Sequence, residues 1–245
     1  MQCTMSPSEV NIKRQIMDKL REELFEVLRS KGAKLMGIGN LEEVVTGDMK
    51  IGISVAVPVP AHIVENLKTA PTMEYYNMYQ TLNAQLDEIV TAGAEFLVSK
   101  GYKAQANTTK IVKSNENWET PLPHKTVATR AGLGWIGKNC LLITETFGGA
   151  QRISSLITDA PLTCDEPINE SKCGGCTVCV DKCPGKALHN TLWTAGMKRE
   201  EIFNKEICKK AQEMQMEKAT GLKTDLCGMC YAVCPYTQKY LNGEK

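Results

Sequence analysis

The chain has 245 residues, of which 42% are hydrophobic and 23% are charged, and its formal net charge is +1. These values are ordinary for a globular protein with one large domain or two modest ones. The small net charge excludes a global basic field for nucleic acid and an acidic field for a basic partner. Because no apolar run approaches the roughly 20 residues of a membrane span and the N-terminus has no signal pattern, we expect a cytoplasmic protein without membrane contact.

The first part of the chain alternates helices with short apolar strands. A capping box at Ser6 to Glu9 predicts a helix whose apolar stripe runs from Ile16 to Leu28 and which stops near Gly32. A charged amphipathic helix is predicted over 197–218. Apolar and β-branched runs predict strands, and the whole pattern favours an α/β layer. The predicted strands are 34–39, 51–59, 103–107, 140–144 and 153–158, and further helices are predicted over 72–100 and 124–130.

Eleven cysteines are the unusual feature of the composition, and eight of them lie between Cys173 and Cys234. In a reducing compartment, clustered cysteines indicate metal ligation or redox chemistry rather than disulfides. The change in composition predicts a boundary near residue 160. We therefore expect two domains, an α/β domain over 1–160 and a cysteine-rich domain over 161–245.

The spacing of these cysteines is typical of iron–sulfur ligands. The first motif is Cys173-x2-Cys176-x2-Cys179-x3-Cys183-Pro184, and the second is Cys227-x2-Cys230-x3-Cys234-Pro235 with Cys208 upstream. In two-cluster ferredoxins the cysteine before the proline ligates the other cluster. This rule predicts two [4Fe–4S] clusters. The ligands of the first would be Cys173, Cys176, Cys179 and Cys234. The ligands of the second would be Cys208, Cys227, Cys230 and Cys183.

Structural zinc is the alternative, since zinc sites also use C-x2-C pairs. Zinc does not explain a third cysteine two residues further on or the proline after the last cysteine. The pattern therefore favours a short relay of two low-potential clusters.

The segment Ala131 to Asn139 resembles two nucleotide motifs without their context. Both Gly132-x-Gly134-x-x-Gly137 and Gly132-x4-Gly137-Lys138 lie after a predicted helix and before a predicted strand, which inverts the order that either motif requires. A glycine-rich turn that packs a helix on a strand is the alternative. Three glycines around Trp135 also suggest close approach by a large flat group.

Several segments together resemble the superfamily of epoxyqueuosine reductases and reductive dehalogenases. They are PLPHKTVATRAGLGWIGKNCLLIT, SSLITDAPL and CGGCTVCVDKCPGKAL, with weaker support from GAKLMGIG and ISVAVPVP upstream. The resemblance implies an α/β corrinoid-binding-type domain followed by a bacterial-ferredoxin-like domain with two clusters. It further implies that electrons reach a cobalamin cofactor held by the glycine segment, with Gly132, Gly134, Trp135, Gly137, Lys138 and Asn139 as its contacts.

The resemblance also points to a proton donor, and here the chain departs from the family. The aspartate of epoxyqueuosine reductases is replaced by Trp118, so the neighbouring Glu119 is our candidate acid. Reductive dehalogenases use a tyrosine, for which Tyr76 is the reserve candidate, although the helical spacing of Tyr75, Tyr76 and Tyr79 favours core or interface packing over substrate contact. His124 is a third candidate, as an acid or hydrogen-bond donor.

The resulting hypothesis is an oxygen-sensitive oxidoreductase of an anaerobe that reduces a small organic substrate. A low-potential donor such as ferredoxin or flavodoxin would supply its electrons. The helical-repeat extension of tRNA-acting members does not follow Cys234 and the net charge is near zero, so we expect no tRNA substrate. The alternative hypothesis is an electron-transfer protein that reduces a partner or a partner's corrinoid.

Overall fold

The structure is a computed structural model that describes residues 7–244. Its helices and strands, in chain order, are α1 Pro7–Ser30, β1 Leu35–Asn40, β2 Ile51–Pro58, α2 Ala61–Leu67, α3 Met73–Ser99, β3 Ala104–Ala106, α4 His124–Arg130, β4 Trp135–Ile136, β5 Leu142–Ile143, β6 Gln151–Thr158, α5 Val178–Lys182, α6 Lys205–Thr220, α7 Met229–Ala232 and α8 Pro235–Leu241. A 3₁₀ turn covers Arg199–Glu201. The predicted mixed α/β fold is confirmed.

Two sheets organise the strands. The larger sheet has the order β1-β2-β6-β3. Its edge strand β3 runs antiparallel to β6, with Ala104 opposite Thr158 and Ala106 opposite Leu156. The smaller sheet pairs β4 with β5, so that Trp135 lies opposite Ile143. The central strand β2 is buried along most of its length, as its continuous apolar sequence predicts.

The chain divides into two compact units, each made of three segments. The first unit comprises the described part of Met1–Val55, Gln85–Gly132 and Ser154–Pro167, and the second comprises Ala56–Ala84, Leu133–Ile153 and Ile168–Lys245 as far as residue 244. The predicted boundary between 1–160 and 161–245 concerns domains in the order of the chain. It stays a prediction.

The core of the first unit contains fully buried apolar side chains from α1, β1, β2, α3 and β6. They are Leu24, Leu28, Ile38, Ile53, Ile89, Leu97 and Leu156. An ion pair also fastens this unit: Arg21 donates to both carboxylate oxygens of Asp165, at 2.7 and 2.9 Å. The backbone N–H of Ile38 donates to the same carboxylate, so β1 and the segment after β6 are tied to α1.

The core of the second unit lies around α2, the first half of α3, α7 and α8. Its buried members are Val59, Ile63, Val64, Leu67, Tyr75, Met78, Ala150, Met216, Leu226, Tyr231 and Ala232. Helix α6 begins after Asn204, whose side chain accepts a hydrogen bond from the backbone N–H of Ile207, and ends at Gly221 in the left-handed region. These caps fix the helix that carries Cys208.

Several predicted elements differ from the structure at their ends. Ile16 is 60% exposed, so the buried stripe of α1 begins at Leu20 instead. The helix predicted over 197–218 is a 3₁₀ turn followed by α6. The strand predicted over 140–144 is reduced to β5, because Cys140 has a positive φ of 59°. The capping box at Ser6 to Glu9 lies outside the residues whose side chains the structure describes. None of the helices within residues 7–244 is long and apolar enough to cross a bilayer.

Candidate functional site

The eight clustered cysteines are presented by short helices and turns of the second unit. Cys179 lies on α5 and Cys183 ends it, while Cys208 lies on α6. Cys230 lies on α7, and Cys234 is the N-cap of α8, where Pro235 occupies the first helical turn. Cys234 therefore opens a helix whereas Cys183 closes one, although a proline follows each of them.

The thiols that the spacing assigns to the first cluster also influence one another in the fold. We call Cys173, Cys176, Cys179 and Cys234 group I. Burial, followed by the neighbouring thiols of Cys234, Cys173 and Cys176, raises the pKa of Cys179 to about 11. Burial also raises the pKa of Cys234, with added contributions from Cys173 and Cys176. Residues 55 positions or more apart in sequence thus share one electrostatic environment.

The remaining four thiols behave in the same way. We call Cys183, Cys208, Cys227 and Cys230 group II. Burial, with smaller contributions from the thiols of Cys208 and Cys183, raises the pKa of Cys227 to about 11. Burial raises the pKa of Cys230 well above its usual range, and Cys227, Cys208, Cys179 and Cys183 contribute. Because Cys179 of group I also acts on Cys230, the two groups adjoin.

Zinc sites and iron–sulfur clusters arrange their ligands differently. Among residues 7–244, no three His, Cys, Asp or Glu side chains gather closely enough to hold a single metal ion. The ligands of zinc converge on one atom, whereas those of a cubane attach to separate corners.

The chemistry around the thiols fits iron–sulfur clusters. Gly174 and Gly175, between Cys173 and Cys176, have no other atoms within 4 Å of their Cβ positions, so the loop leaves room beside the thiols. Two sulfur atoms accept hydrogen bonds: the backbone N–H of Ala187 donates to Cys183 at 3.4 Å, and Gln212 donates to Cys208 at 3.2 Å. Soft thiolates with backbone and amide donors are the usual surroundings of such clusters.

The predicted cofactor glycines are closed by the protein's own packing. A Cβ at Gly134 would lie 2.1 Å from the carbonyl oxygen of Ile143, and one at Gly137 would lie 2.8 Å from the side chain of Asn139. Gly132 has a φ of +68°, and a Cβ there would lie 2.7 Å from the carbonyl oxygen of Glu166. Close backbone packing explains these glycines, and their role as cofactor contacts stays a prediction.

The other three residues of this segment are buried in the second unit. Lys138 is 4% exposed, and its Nζ donates to the backbone carbonyl oxygen of Cys176 at 3.0 Å. Asn139 is 6% exposed and accepts from the backbone N–H of Leu141. Through Lys138, the segment after the glycines therefore contacts the group I loop.

Trp135 is fully buried beside the start of that loop. Its ring lies 4.8 Å from that of Tyr236 in an edge-to-face arrangement, and the ammonium of Lys172 lies 5.3 Å from its centroid. Its indole N–H is buried and donates to no other atom within the part of the chain that the structure describes. The indole therefore packs next to Lys172, which is the residue before Cys173.

The three candidate proton donors occupy different elements. His124 begins α4, and its Nδ1 lies 2.9 Å from the hydroxyl of Ser155, to which the amide of Asn107 also donates. Glu119 is exposed, and its carboxylate accepts from the side-chain amide of Asn115 within a turn in which Trp118 has a φ of 59°. These residues belong to the first unit, and their catalytic roles stay predictions.

Tyr76 lies in the second unit, partly buried against the core around Tyr75. Its neighbour Tyr75 is better enclosed, since burial raises its pKa to about 12. The rings of Tyr75 and Tyr231 lie 6.4 Å apart, and the thiol of Cys230 contributes to the raised pKa of both. The predicted packing role of the tyrosine helix therefore holds for Tyr75.

Sequence reasoning missed the aromatic and basic residues around group II. Tyr231 follows Cys230 directly, so adjacency to a predicted ligand was the available signal. Arg152 had no such signal: its guanidinium lies 3.8 Å from the centroid of the Tyr79 ring and donates to Asn83. Only the fold brings this strand residue to the tyrosine helix.

The cysteine-rich part of the chain matches a known family. Residues 172–237 match the 4Fe–4S double cluster binding domain. An epoxyqueuosine reductase of Bacillus cereus is 49% identical over 67 residues, which is 27% of this chain and 17% of that protein. One from Cellulophaga algicola is 36% identical over 122 residues, covering 48% of this chain and 38% of that protein. The matched segments thus span well under half of these relatives.

Solved structures share the fold over most of the chain. A crystal structure of epoxyqueuosine reductase with an epoxyqueuosine-modified tRNA stem loop is 22% identical with a TM-score of 0.59, and the match covers 91% of this chain and 66% of that one. A catabolic reductive dehalogenase in complex with 3-bromo-4-hydroxybenzoic acid is 18% identical with a TM-score of 0.67, covering 88% of this chain and 31% of that one.

The first of these structures corrects our expectation about partners. We predicted a small-molecule substrate and considered tRNA unlikely, whereas the similar epoxyqueuosine reductase is seen with a tRNA stem loop. That prediction is wrong. It rested in part on the net charge, which is a sum over the whole chain and does not report local basic surfaces.

The predicted resemblance is confirmed by these findings. Residues 172–237 match the 4Fe–4S double cluster binding domain, part of the chain is similar in sequence to epoxyqueuosine reductases, and its fold is similar to those of epoxyqueuosine reductases and reductive dehalogenases.

Proposed function

We propose that the chain is an iron–sulfur reductase of the epoxyqueuosine reductase type. Group I would hold one [4Fe–4S] cluster and group II would hold the other. The observation that carries the proposal is the proximity of cysteines that are distant in sequence. The thiol of Cys234 raises the pKa of Cys179 in group I, and the thiol of Cys183 raises the pKa of Cys227 in group II. Cross-ligation requires these two encounters, and a pair of separate zinc knuckles would not.

The residues around the thiols prepare the site for electron transfer. When bound, the clusters supply one-electron steps at low potential. The raised thiol pKa values follow from burial, so the fold keeps water away from the sulfur atoms. Because Cys179 also acts on Cys230, an electron has a short distance to cover between the groups.

The substrate that the relatives favour is an epoxyqueuosine-type nucleoside carried by a tRNA stem loop. We propose Glu119 as the proton donor and His124 as a second acid or hydrogen-bond donor, with Tyr76 in reserve. His124 has the better support in the protein, since Ser155 and Asn107 fix its Nδ1 side. A His124→Gln variant should retain both clusters and lose most of its substrate reduction.

Cobalamin is proposed as a further cofactor on the resemblance alone. The packing of Gly134 and Gly137 on the protein itself explains these glycines without a cofactor, so it does not support the cobalamin proposal. We therefore derive no step through a corrinoid. Anaerobic purification from cobalamin-supplemented medium, followed by absorbance spectroscopy, tests this part independently of the clusters.

The decisive experiment for the function uses protein purified without air and reduced with dithionite. An epoxyqueuosine-containing tRNA stem loop is added, and the nucleoside products are separated and identified. The proposal predicts conversion to the deoxygenated nucleoside. Protein with complete clusters that leaves the nucleoside unchanged, with and without cobalamin, would refute the reductase assignment.

An electron-transfer protein is the second candidate. It is favoured by the surroundings of Glu119 in an exposed turn. The Glu119 carboxylate accepts a hydrogen bond from the side-chain amide of Asn115, and the Glu119 backbone N–H donates to the side-chain oxygen of Asn115. A carboxylate held in that way is poorly placed to act as an acid. In the same experiment this candidate predicts complete clusters that reduce an added redox protein without converting the nucleoside.

A further inference from the structure

Lys138 is the most deeply buried basic side chain near the cysteine groups. It is 4% exposed, although lysine is almost never fully buried without a partner. Its Nζ donates to the backbone carbonyl oxygen of Cys176, the central cysteine of the group I loop, at 3.0 Å. A buried ammonium is costly unless it is compensated, and a single neutral carbonyl is modest compensation.

We propose that Lys138 is a positioning residue for the group I cluster and raises its reduction potential. The inference rests on the proposed cluster site. The hydrogen bond holds the loop between Cys173 and Cys179, and the positive charge favours the reduced cluster, which is one electron more negative. Charge near a cluster and hydrogen bonding around it are known determinants of its potential.

The burial of Lys138 makes its charge effective. Charges act more strongly in a low-dielectric interior than at a surface, where water screens them. Lys172 provides a comparison within the same unit: it precedes Cys173, but its side chain is 49% exposed and is paired with Glu145 at 2.7 Å. Its charge should therefore influence group I much less than that of Lys138.

The consequence is a difference between the two groups. Around group I a buried cation would favour the reduced state, whereas the group II sulfurs accept from the neutral donors Ala187 and Gln212. Electrons would then be more stable on group I than on group II. Group I would be the cluster that fills first on reduction.

The test compares reduction potentials in Lys138→Met, Lys138→Arg and Lys172→Met. Each protein is purified anaerobically, its iron and sulfide are counted, and both clusters are titrated with dithionite while electron paramagnetic resonance is recorded. Lys138→Met should lower the reduction equilibrium constant of one cluster about tenfold, which for one electron is about 59 mV. Lys138→Arg keeps the buried charge, and Lys172→Met removes an exposed charge. The reduction potentials of both variants should therefore stay near those of the unmodified protein.

The outcomes separate this inference from the proposed function. The inference is supported if the reduction potential of one cluster shifts in Lys138→Met alone. It is overturned if the potentials of Lys138→Met are unchanged or if Lys172→Met shows an equal shift, and either result leaves the cluster assignment intact. If Lys138→Met binds too little iron, Lys138→Gln takes its place. If both neutral variants lose iron and Lys138→Arg retains it, the role of the charge is supported. If all three variants lose iron, that role is overturned. An unmodified protein without clusters refutes the proposed function itself.

Discussion

At the scale of single residues, the cysteines carry the chemistry and their burial governs their reactivity. Burial raises the pKa of Cys179 and Cys227 to about 11, so in the metal-free protein these thiols are protonated at neutral pH. Iron must displace those protons on binding. The raised pKa values therefore describe thiols that are inert without metal and become thiolates when metal binds.

Cys179→Ser should remove one cluster and leave the other. The iron content of anaerobically purified protein should fall from about eight to about four per chain, because group II keeps all its ligands. Cys164→Ser is the matched control, since Cys164 is partly buried and lies outside both groups. Equal iron in the Cys179 variant and the unmodified protein would contradict the group I assignment.

Tyr75 should make the folded protein sensitive to alkali. Its pKa is raised from 10.0 to about 12 by burial, so the folded state holds the phenolic proton more tightly than the unfolded state. This contribution to stability is complete below pH 10 and is lost as the pH rises toward 12. From pH 10 to pH 11, the free energy of unfolding of the unmodified protein should therefore fall. It should fall by about 1 kcal/mol more than the free energy of unfolding of Tyr75→Phe does.

Denaturant titrations at a series of pH values measure this difference. Tyr76→Phe is the control, because it makes the same chemical change at a half-buried neighbour. A Tyr75→Phe protein whose stability follows the unmodified pH profile would show that the buried phenol does not govern the alkaline loss.

At the scale of elements, the glycine segment illustrates how packing explains a motif. Gly134→Ala should destabilise the protein by about 2 kcal/mol or more, because the new methyl group would meet the carbonyl oxygen of Ile143 at 2.1 Å. Gly47→Ala is the control, since a Cβ there has nothing within 4 Å. Thermal unfolding of both variants measures the difference, and equal melting temperatures would contradict the packing explanation.

Much of the secondary structure was predictable from local patterns. The continuous apolar run of β2 and the helix before Arg130 were found because periodicity and β-branched residues report burial directly. The ends of elements were not: the turn at Cys140 requires a positive φ in a residue that rarely adopts it. The long helix predicted after residue 197 failed because its first turn is a separate 3₁₀ element.

The site was predictable only where chemistry imposes spacing. Ligand geometry fixes the intervals between cysteines, so the two groups could be written down from the sequence alone. The contact of Lys138 with Cys176 spans 38 residues and follows no spacing rule. The relation of Arg152 to Tyr79 depends on a strand and a helix that only the tertiary fold brings together.

At the scale of the whole molecule, the order of the chain does not match its compact units. Each unit is assembled from three segments, whereas the cysteine pattern alone suggested a single break near residue 160. The second unit contains all eight clustered cysteines as well as Tyr76, while Glu119 and His124 belong to the first. The change in composition and the compact units are therefore separate descriptions of the chain, and the domain boundary near residue 160 stays a prediction.

The substrate is also a property of the whole molecule. The net charge of +1 suggested that tRNA would not bind, but a similar reductase is seen with a tRNA stem loop. If this chain binds such a stem loop, its affinity should fall with rising salt as phosphate contacts are screened. Fluorescence anisotropy with a labelled stem loop at 50 and 200 mM salt measures this, and binding that does not vary with salt would contradict a phosphate-based interface.

The most direct test of the central claim is the metal content of protein purified without air, combined with Mössbauer spectroscopy of iron-57-labelled material. Groups I and II together should hold about eight iron and eight sulfide per chain, with spectra of two [4Fe–4S] clusters. Zinc in place of iron, or iron sufficient for only one cluster in the unmodified protein, would contradict it.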